Sequence, residues 1–166
     1  MVWAAFFLAL SYVLPFLTGQ IPAVGSMLCP MHLPILLCGF LVGPWWAAAA
    51  GLIAPLLRHA VFSMPPLLTA IAMSFELGTY GMVSGLLWRK GGKNARHMYL
   101  SLIAAMIAGR LVWGAAQVVI LGLSGSGFTL AAFWAGAVAN AVPGIIVQLI
   151  LIPILVTALR KAKLAD

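Results

Sequence analysis

The sequence predicts an all-α integral membrane protein, and three observations lead to this prediction. Of the 166 residues, 64% are hydrophobic and only 7% are charged. The mean hydropathy of +1.16 lies far above that of water-soluble domains. Six apolar stretches follow one another along the chain, separated by Pro, Gly or charged residues. The composition therefore excludes soluble enzymes and free nucleic-acid binders.

Six transmembrane helices account for nearly the whole chain. At about 20 residues each, six helices use about 120 residues and leave no room for a folded soluble domain. We therefore expect residues 1–166 to form a single six-helix membrane domain. The expected spans are, in order, about 1–18, 31–43, 45–62, 66–88, 98–121 and 129–159.

An irregular outer loop is expected between the first and second helices. Pro22, Gly25 and Pro30 follow the first span and disfavour a continuous helix. The second span has about 13 residues, or about 20 Å of helix, which is shorter than the hydrocarbon core. Irregular backbone at membrane depth is tolerated where it lines a cavity, so residues 19–34 are a candidate binding-site loop.

Positive charge sets the predicted orientation. Seven of the nine Lys and Arg residues fall in two clusters, Arg89–Arg96 and Arg160–Lys163, and such clusters beside apolar spans mark the cytoplasmic side. With both clusters inside and six spans, both termini are predicted to be cytoplasmic. Aromatic residues agree with this orientation, because rings prefer the interface and five of them lie at predicted inner ends. These are Trp3, Trp45, Trp46, Trp88 and Tyr99.

Small residues recur at four-residue spacing on several spans. The sets are Ala5 and Ala9, Gly39 and Gly43, Ala47 and Gly51, Gly81 and Gly85, and Ala132, Gly136, Asn140 and Gly144. Such faces let helix backbones approach closely in lipid. Packing within the bundle is the simpler explanation, and only a pair on an outer helix is free to meet a partner subunit.

The chain lacks the side chains that most catalytic sites need. Its only acidic residues are Glu76 and Asp166, which excludes paired-carboxylate catalysis, an Asp-supported triad and a two-metal carboxylate site. No G-x-x-x-x-G-K-[ST] motif for ATP is present. Cys29 and His32 have the spacing of two metal ligands, and His59 is the only candidate for a third. Zinc sites normally take three or four protein ligands, so a metal site is disfavoured. We therefore expect a protein that is not an enzyme and that holds neither a metal nor a cofactor.

Two charged residues lie deep within the predicted spans. Glu76 is about 15 Å from the outer end of span four, and Arg110 is about 18 Å from the inner end of span five. A lone charge near the bilayer centre costs about 2.5–3.5 kcal/mol on insertion scales. One hypothesis is a structural ion pair between adjacent helices. The other is a polar cavity, in which Arg110 meets a substrate carboxylate and Glu76 accepts from an amine or hydroxyl.

Five further side chains are candidates for the same cavity. Tyr80, Trp113 and Asn140 lie at compatible depths on spans four, five and six. Packing is the simpler role for Trp113, and stacking on a flat ligand ring is the functional alternative. His32 is either a polar residue at a helix start or a contact to a solute that enters from outside. Arg58 either snorkels to the outer interface or attracts an anionic solute.

Several short strings of this chain form a recognisable pattern. They are Pro30–Pro34 with Leu36–Phe40, Pro55–Arg58, Met64–Pro66, Phe75–Leu77 with Tyr80-Gly81, and Gly109-Arg110 with Trp113-Gly114. Together with six spans and inner termini, they resemble the substrate-binding S component of energy-coupling factor (ECF) vitamin transporters. The resemblance covers roughly residues 4–155, and the whole pattern carries it rather than any one string.

The resemblance implies a high-affinity binding subunit in a prokaryotic plasma membrane, without a motor of its own. Its partners are a small vitamin or vitamin precursor, a membrane coupling subunit and two ATP-binding cassette ATPases. The A-x-x-x-A motif of the family, at Ala5 and Ala9 here, meets the coupling subunit. The ligand lies in the outer half, beneath the first loop and among helices four to six.

The substrate is left open by the resemblance. Arg58, Arg110 and His32 around an outward cavity favour a small anion, and among the vitamins of the family pantothenate fits this balance. Riboflavin, folate, pyridoxine and a queuosine precursor remain alternatives, and Glu76 offsets the charge of Arg110 if the two pair. The competing functional classes are a structural or accessory membrane protein with no solute and an intramembrane enzyme.

Overall fold

The computed structural model describes residues 2–18, 28–92, 94–123, 129–135 and 141–162. The helices are α1 (Val2–Val13), which continues into a 3₁₀ segment (Leu14–Thr18), α2 (His32–Leu41), α3 (Pro44–Phe62), α4 (Leu67–Lys90), α5 (Ala95–Leu123), α6 (Leu130–Trp134) and α7 (Val142–Lys161). These ranges contain no strand, so the all-α prediction is confirmed for them.

Four of the described helices, α3, α4, α5 and α7, are long and apolar enough to cross a membrane. The other two apolar helices, α1 and α2, are shorter. Because α2 has only 10 residues, the prediction of a second span too short for the hydrocarbon core is confirmed. Most of the predicted outer loop before α2, residues 19–27, lies outside the described residues.

The central helix of the bundle is α4. It packs against α2, α3 and α5, and 56% of its apolar span is buried, compared with 22–33% for the other three long helices. Many of its buried positions carry small residues, namely Ala70, Ala72, Ser74, Gly78, Gly81, Ser84 and Gly85. Because small side chains let backbones approach, three neighbouring helices can surround α4 at close range.

Two glycines set the contact between α3 and α4. A Cβ added at Gly51 of α3 would lie 2.5 Å from the carbonyl carbon and oxygen of Leu77 on α4. A Cβ at Gly81 of α4 would lie 2.6 Å from the carbonyl carbon of Ala47 on α3. Both distances are shorter than real Cβ contacts, so the two backbones touch. For these glycines, packing within the bundle is the correct interpretation of the small-residue pattern.

The predicted sixth span is wrong as one continuous helix from 129 to 159. The structure instead has the short helix α6, and a separate helix α7 that begins at Val142. Pro143 lies in the first turn of α7, where a residue without an N–H is tolerated and marks the start of a helix. Because the whole stretch is apolar, hydropathy does not detect the break. Residues 136–140 between the two helices lie outside the described residues.

Cationic side chains meet at one end of the bundle. Arg89 Nη2 donates a hydrogen bond of 2.8 Å to the carbonyl of Val42, at the end of α2. The next residue, Gly43, has φ +124° and lies against the same guanidinium, so a side chain there would be both strained and blocked. Arg160 of α7 lies 5.6 Å from the centroid of the Trp88 ring. One arginine from each of the two predicted cytoplasmic clusters of basic residues thus lies at the same end of the bundle.

The first helix exposes both residues of its small-residue pair, Ala5 and Ala9. Its buried side is formed by Ala4, Phe7 and Ser11. Ala5 and Ala9 are both exposed, as are the large side chains of Val2, Phe6 and Val13 around them. The Ala5/Ala9 pair therefore does not pack inside the bundle, unlike Gly51 and Gly81.

Candidate functional site

The two deep charges of the sequence form an ion pair between α4 and α5. Arg110 Nη1 lies 2.9 Å from Glu76 Oε1, and the Glu76 residue is 1% exposed. His32, the first residue of α2, brings its Nε2 to 3.3 Å from the same oxygen. Three helices thus contribute one charged or polar side chain each to a single buried cluster. We refer to Glu76, Arg110, His32, Tyr80 and Cys29 below as the polar cluster.

Tyr80 joins the cluster through the geometry of α4 and α5. It lies one helical turn after Glu76 on the same face of α4, and both residues are buried. Its ring lies 5.2 Å from the His32 ring, in an edge-to-face arrangement. A Cβ added at Gly109 would lie 2.1 Å from the Tyr80 ring. Gly109 therefore lets the ring pack onto α5 beside Arg110.

Cys29 is a member of the cluster whose role the sequence did not predict. Arg110 Nη2 lies 3.7 Å from the Cys29 sulfur, which is a weak charge-assisted contact. The turn ahead of α2 brings Cys29 there, and a hydrogen bond of 3.0 Å from the His32 amide to the Cys29 carbonyl holds that turn. The Cys29-x-x-His32 spacing is the sequence feature that could have indicated that Cys29 lies in the same cluster as His32. The described residues contain no group of three or more His, Cys, Asp or Glu side chains placed to hold a metal ion.

Several buried polar atoms of the cluster have no hydrogen-bond partner among the residues that the structure describes. Among the described residues, the buried side-chain nitrogen and oxygen atoms without a hydrogen bond are both ring nitrogens of His32, Oε1 of Glu76 and Nε of Arg110. Oε1 is close to its cationic neighbours but is not aligned with them for a hydrogen bond. A buried polar group without a hydrogen bond is costly, and all four atoms belong to one cluster.

Trp113 lies one turn beyond Arg110 on α5. Its ring centroid is 6.3 Å from that of Phe133 on α6, and a Cβ added at Gly114 would lie 2.4 Å from the Phe133 ring. The short helix α6 thus packs its aromatic side chain across this part of α5. Trp113 is half-buried.

The structure does not bring Arg58 to the polar cluster. Its Nη1 donates a hydrogen bond of 3.2 Å to the carbonyl of Tyr12, near the end of α1. Its guanidinium lies 5.5 and 5.4 Å from the centroids of the Phe16 and Phe62 rings, which contact each other. Arg58 is 5% exposed, and these contacts join the ends of α1 and α3.

We expect Arg58→Met to lower the stability of the protein and to leave ligand affinity within about twofold. The substitution removes a hydrogen bond from a charged donor, which is worth about 1.5–3 kcal/mol, and keeps the apolar length of the side chain. Equilibrium unfolding in a denaturing detergent measures the first effect. A large loss of affinity in a folded Arg58→Met protein would instead return Arg58 to the ligand site.

Two sequence predictions about the site fall outside the described residues. Asn140, predicted to line the cavity, is one of them, and most of the candidate loop 19–34 is the other. Of the predicted site residues that the structure does describe, His32, Glu76, Tyr80 and Arg110 come together, and Trp113 lies one turn away.

The fold and the site define a class of protein. A bundle of apolar helices that buries an ion pair with unpartnered polar atoms is typical of membrane proteins that bind a solute or ion. The family model described as "ECF transporter, substrate-specific component" matches residues 1–156. The chain belongs to this family, and it is a multi-pass protein of the cell membrane. No curated protein and no solved structure matches the chain.

Membership establishes the general role of the protein. It is a transport-related, substrate-binding subunit of an ECF importer, and its family is not a family of enzymes. Such a subunit takes a small-molecule substrate and associates with a coupling subunit and ATPases.

Proposed function

We propose that the protein captures a small vitamin or vitamin precursor at the polar cluster and delivers it to a coupling subunit with two ATP-binding cassette ATPases. One observation carries this proposal: all the buried unpartnered side-chain polar atoms of the described residues belong to His32, Glu76 and Arg110. A cluster that served only to hold helices together would be expected to satisfy its own polar groups. A bound ligand would supply partners for Nδ1 of His32 and Nε of Arg110, whereas Nε2 of His32 and Oε1 of Glu76 already lie 3.3 Å apart.

The chemistry of the cluster favours a ligand with a carboxylate and further polar groups. Arg110 Nε is a charged donor, and a neutral His32 ring offers one donor and one acceptor. Pantothenate, which carries one carboxylate together with hydroxyl and amide groups, fits these atoms. Trp113 adds an aromatic surface beside them, and Asn140 is proposed as a further contact from the part of the chain before α7.

We further propose that the 166 residues form one membrane domain with six crossings and both termini in the cytoplasm. The end of the bundle that gathers Arg89 and Arg160 is then the cytoplasmic end, as the distribution of positive charge favours. The ligand enters from the opposite side. The turn between α3 and α4 then lies on that outer side, and we propose the same side for the candidate loop 19–34.

The proposal predicts that one compound among a panel of vitamins and precursors stabilises the purified protein. A ligand that binds only the native state adds about 2.7 kcal/mol at a hundred times its dissociation constant. Thermal unfolding in detergent, with pantothenate, riboflavin, folate, pyridoxine and a queuosine precursor, measures this effect. No shift with any compound, in folded protein freed of co-purified ligand, would favour an accessory membrane protein without a solute.

The exposed Ala5/Ala9 pair is the proposed contact with the coupling subunit. We expect Ala5→Trp and Ala9→Trp to abolish co-purification with the coupling subunit and the ATPases, because a large ring prevents close helix approach. Ala115→Trp, at an exposed position of α5, is the matched control and should leave co-purification unchanged. Vitamin-induced stabilisation of the isolated protein should persist in all three variants. Retained co-purification of the Ala5 and Ala9 variants would place the partner elsewhere.

A further inference from the structure

Arg58 is a buried cation without a carboxylate to balance it. The 166 residues contain only two acidic side chains, those of Glu76 and Asp166. Glu76 lies 2.9 Å from Arg110 in the polar cluster. Asp166 follows α7, whose last turn lies beside Trp88 at the other end of the bundle. Because an arginine side chain is always charged in proteins, the charge of Arg58 needs a partner from outside these residues.

Arg58 lies close to one end of a helix that is long enough to cross the membrane. Gly43, just before α3, lies against the Arg89 guanidinium, and we refer to this end of the bundle as the basic end. About 21 Å of helix separates Pro44, the first residue of α3, from Arg58. One helical turn then separates Arg58 from Phe62, the last residue. A long cationic side chain this close to the end of a spanning helix lies within reach of the lipid headgroups.

The guanidinium of Arg58 has donors available for an anion. Arginine carries five N–H donors, and the described residues accept one hydrogen bond from Arg58, at the Tyr12 carbonyl. The Phe16 and Phe62 rings offer their faces at 5.5 and 5.4 Å but carry no formal negative charge. A phosphodiester has one negative charge and two free oxygens, and arginine binds such a group through two parallel hydrogen bonds.

The surface next to Arg58 is apolar on the side toward the end of α3. Val61 lies one turn after Arg58 on the same face and is 57% exposed, and Phe16 is 42% exposed. The adjacent Leu57 is exposed as well. In a membrane, exposed apolar side chains lie against acyl chains. An amphiphile with a phosphate on the guanidinium and acyl chains along these side chains therefore matches the surface better than a small water-soluble anion.

We propose that Arg58 binds the phosphate group of a phospholipid in the leaflet opposite the basic end, where the lipid balances its charge. The acyl chains lie along the exposed apolar side chains at the ends of α1 and α3. Because the guanidinium also donates to α1 from α3, the bound lipid stabilises the contact between these two helices. This lipid site contains no residue of the polar cluster, so the inference goes beyond the proposed function and does not depend on it.

Native mass spectrometry of the full chain in detergent, freed of co-purified lipid, tests this inference. The lipid probes are phosphatidylglycerol and a diacylglycerol with the same acyl chains, which lacks the phosphate. We expect phosphatidylglycerol to bind about 10- to 100-fold more tightly than the diacylglycerol, as a hydrogen bond to a charged group implies. Inorganic phosphate at millimolar concentration distinguishes a headgroup from a free anion, and we expect it not to displace the lipid.

Variants assign the phosphate to Arg58. We expect Arg58→Met to lose about 10- to 100-fold in affinity for phosphatidylglycerol. Arg96→Gln is the matched control, because it removes an exposed cation at the basic end, and it should bind the lipid as the natural sequence does. Arg58→Lys keeps the charge but not the paired donors, so we expect a smaller loss, about three- to tenfold. This variant also keeps the test decisive if Arg58→Met does not fold.

Several outcomes would overturn the inference. They are equal binding of phosphatidylglycerol and the diacylglycerol, equal affinities of the Arg58 variants and Arg96→Gln, and displacement of the lipid by inorganic phosphate. Loss of the coupling subunit from Arg58→Met with lipid binding intact would assign the counter-charge to a carboxylate of that partner instead. None of these results bears on the polar cluster, which thermal unfolding with the vitamin panel tests separately.

Discussion

Arg110→Gln is expected to lower the free energy of unfolding by about 3–5 kcal/mol, because it leaves the buried Glu76 carboxylate without its cationic partner. Glu76→Gln should destabilise the protein similarly, since it leaves the Arg110 guanidinium unpaired. The double variant Glu76→Gln/Arg110→Gln contains no uncompensated charge, and we expect it to recover most of the stability. Equilibrium unfolding in a denaturing detergent compares the four proteins.

The double variant also separates a structural ion pair from a ligand site. We expect it to fold but to bind the vitamin about 10- to 100-fold more weakly, because a charged hydrogen bond to the ligand contributes about 1.5–3 kcal/mol. Calorimetry on the folded double variant measures this loss. If the double variant instead bound as tightly as the natural sequence, the pair of Glu76 and Arg110 would be structural only.

Gly51→Ala is expected to have the largest effect among the packing substitutions. The new Cβ would lie 2.5 Å from backbone atoms of Leu77, which cannot move aside as a flexible side chain can. We expect the free energy of unfolding to fall by about 3 kcal/mol, at the upper end of the usual overpacking range. Because α4 carries Glu76 and Tyr80, vitamin binding should weaken as well.

Gly122→Ala provides the matched control for this prediction. Gly122 lies near the end of α5 with no atom within 4 Å of an added Cβ. Alanine is favoured over glycine in a helix by about 0.5–1 kcal/mol, so stability should stay the same or rise slightly. Equal stabilities of Gly51→Ala and Gly122→Ala would show that α3 and α4 are not in backbone contact.

Much of the fold follows from hydropathy and charge. The bounds of α3 and α4 agree with the predicted spans 45–62 and 66–88 to within two residues, because Pro44 and Pro66 mark their starts. The sixth span was predicted as continuous, since an apolar stretch has the same hydropathy whether or not its helix is broken. Pro143 is the residue in the sequence that indicates where the last helix begins.

The site was predictable in its members but not in its arrangement. Depth within the spans identified Glu76, Arg110 and Tyr80, and the structure places Tyr80 beside the His32 ring. The sequence left open whether the two charges pair, because that depends on the rotation of α4 against α5. The turn that brings Cys29 to Arg110 is likewise a tertiary feature. Arg58 shows the converse, since the sequence offers it as a contact for an anionic solute at the outer end of its span, whereas its guanidinium donates to the Tyr12 carbonyl near the end of α1.

A crystal structure of the protein with its stabilising vitamin tests most directly whether the polar cluster is the binding site. We expect polar atoms of the vitamin at hydrogen-bond distance, about 2.7–3.2 Å, from Arg110 Nε and from a ring nitrogen of His32. The ligand should lie beside Trp113. A vitamin bound elsewhere, with those atoms still unpartnered, would contradict the assignment and leave Glu76 and Arg110 as a structural pair.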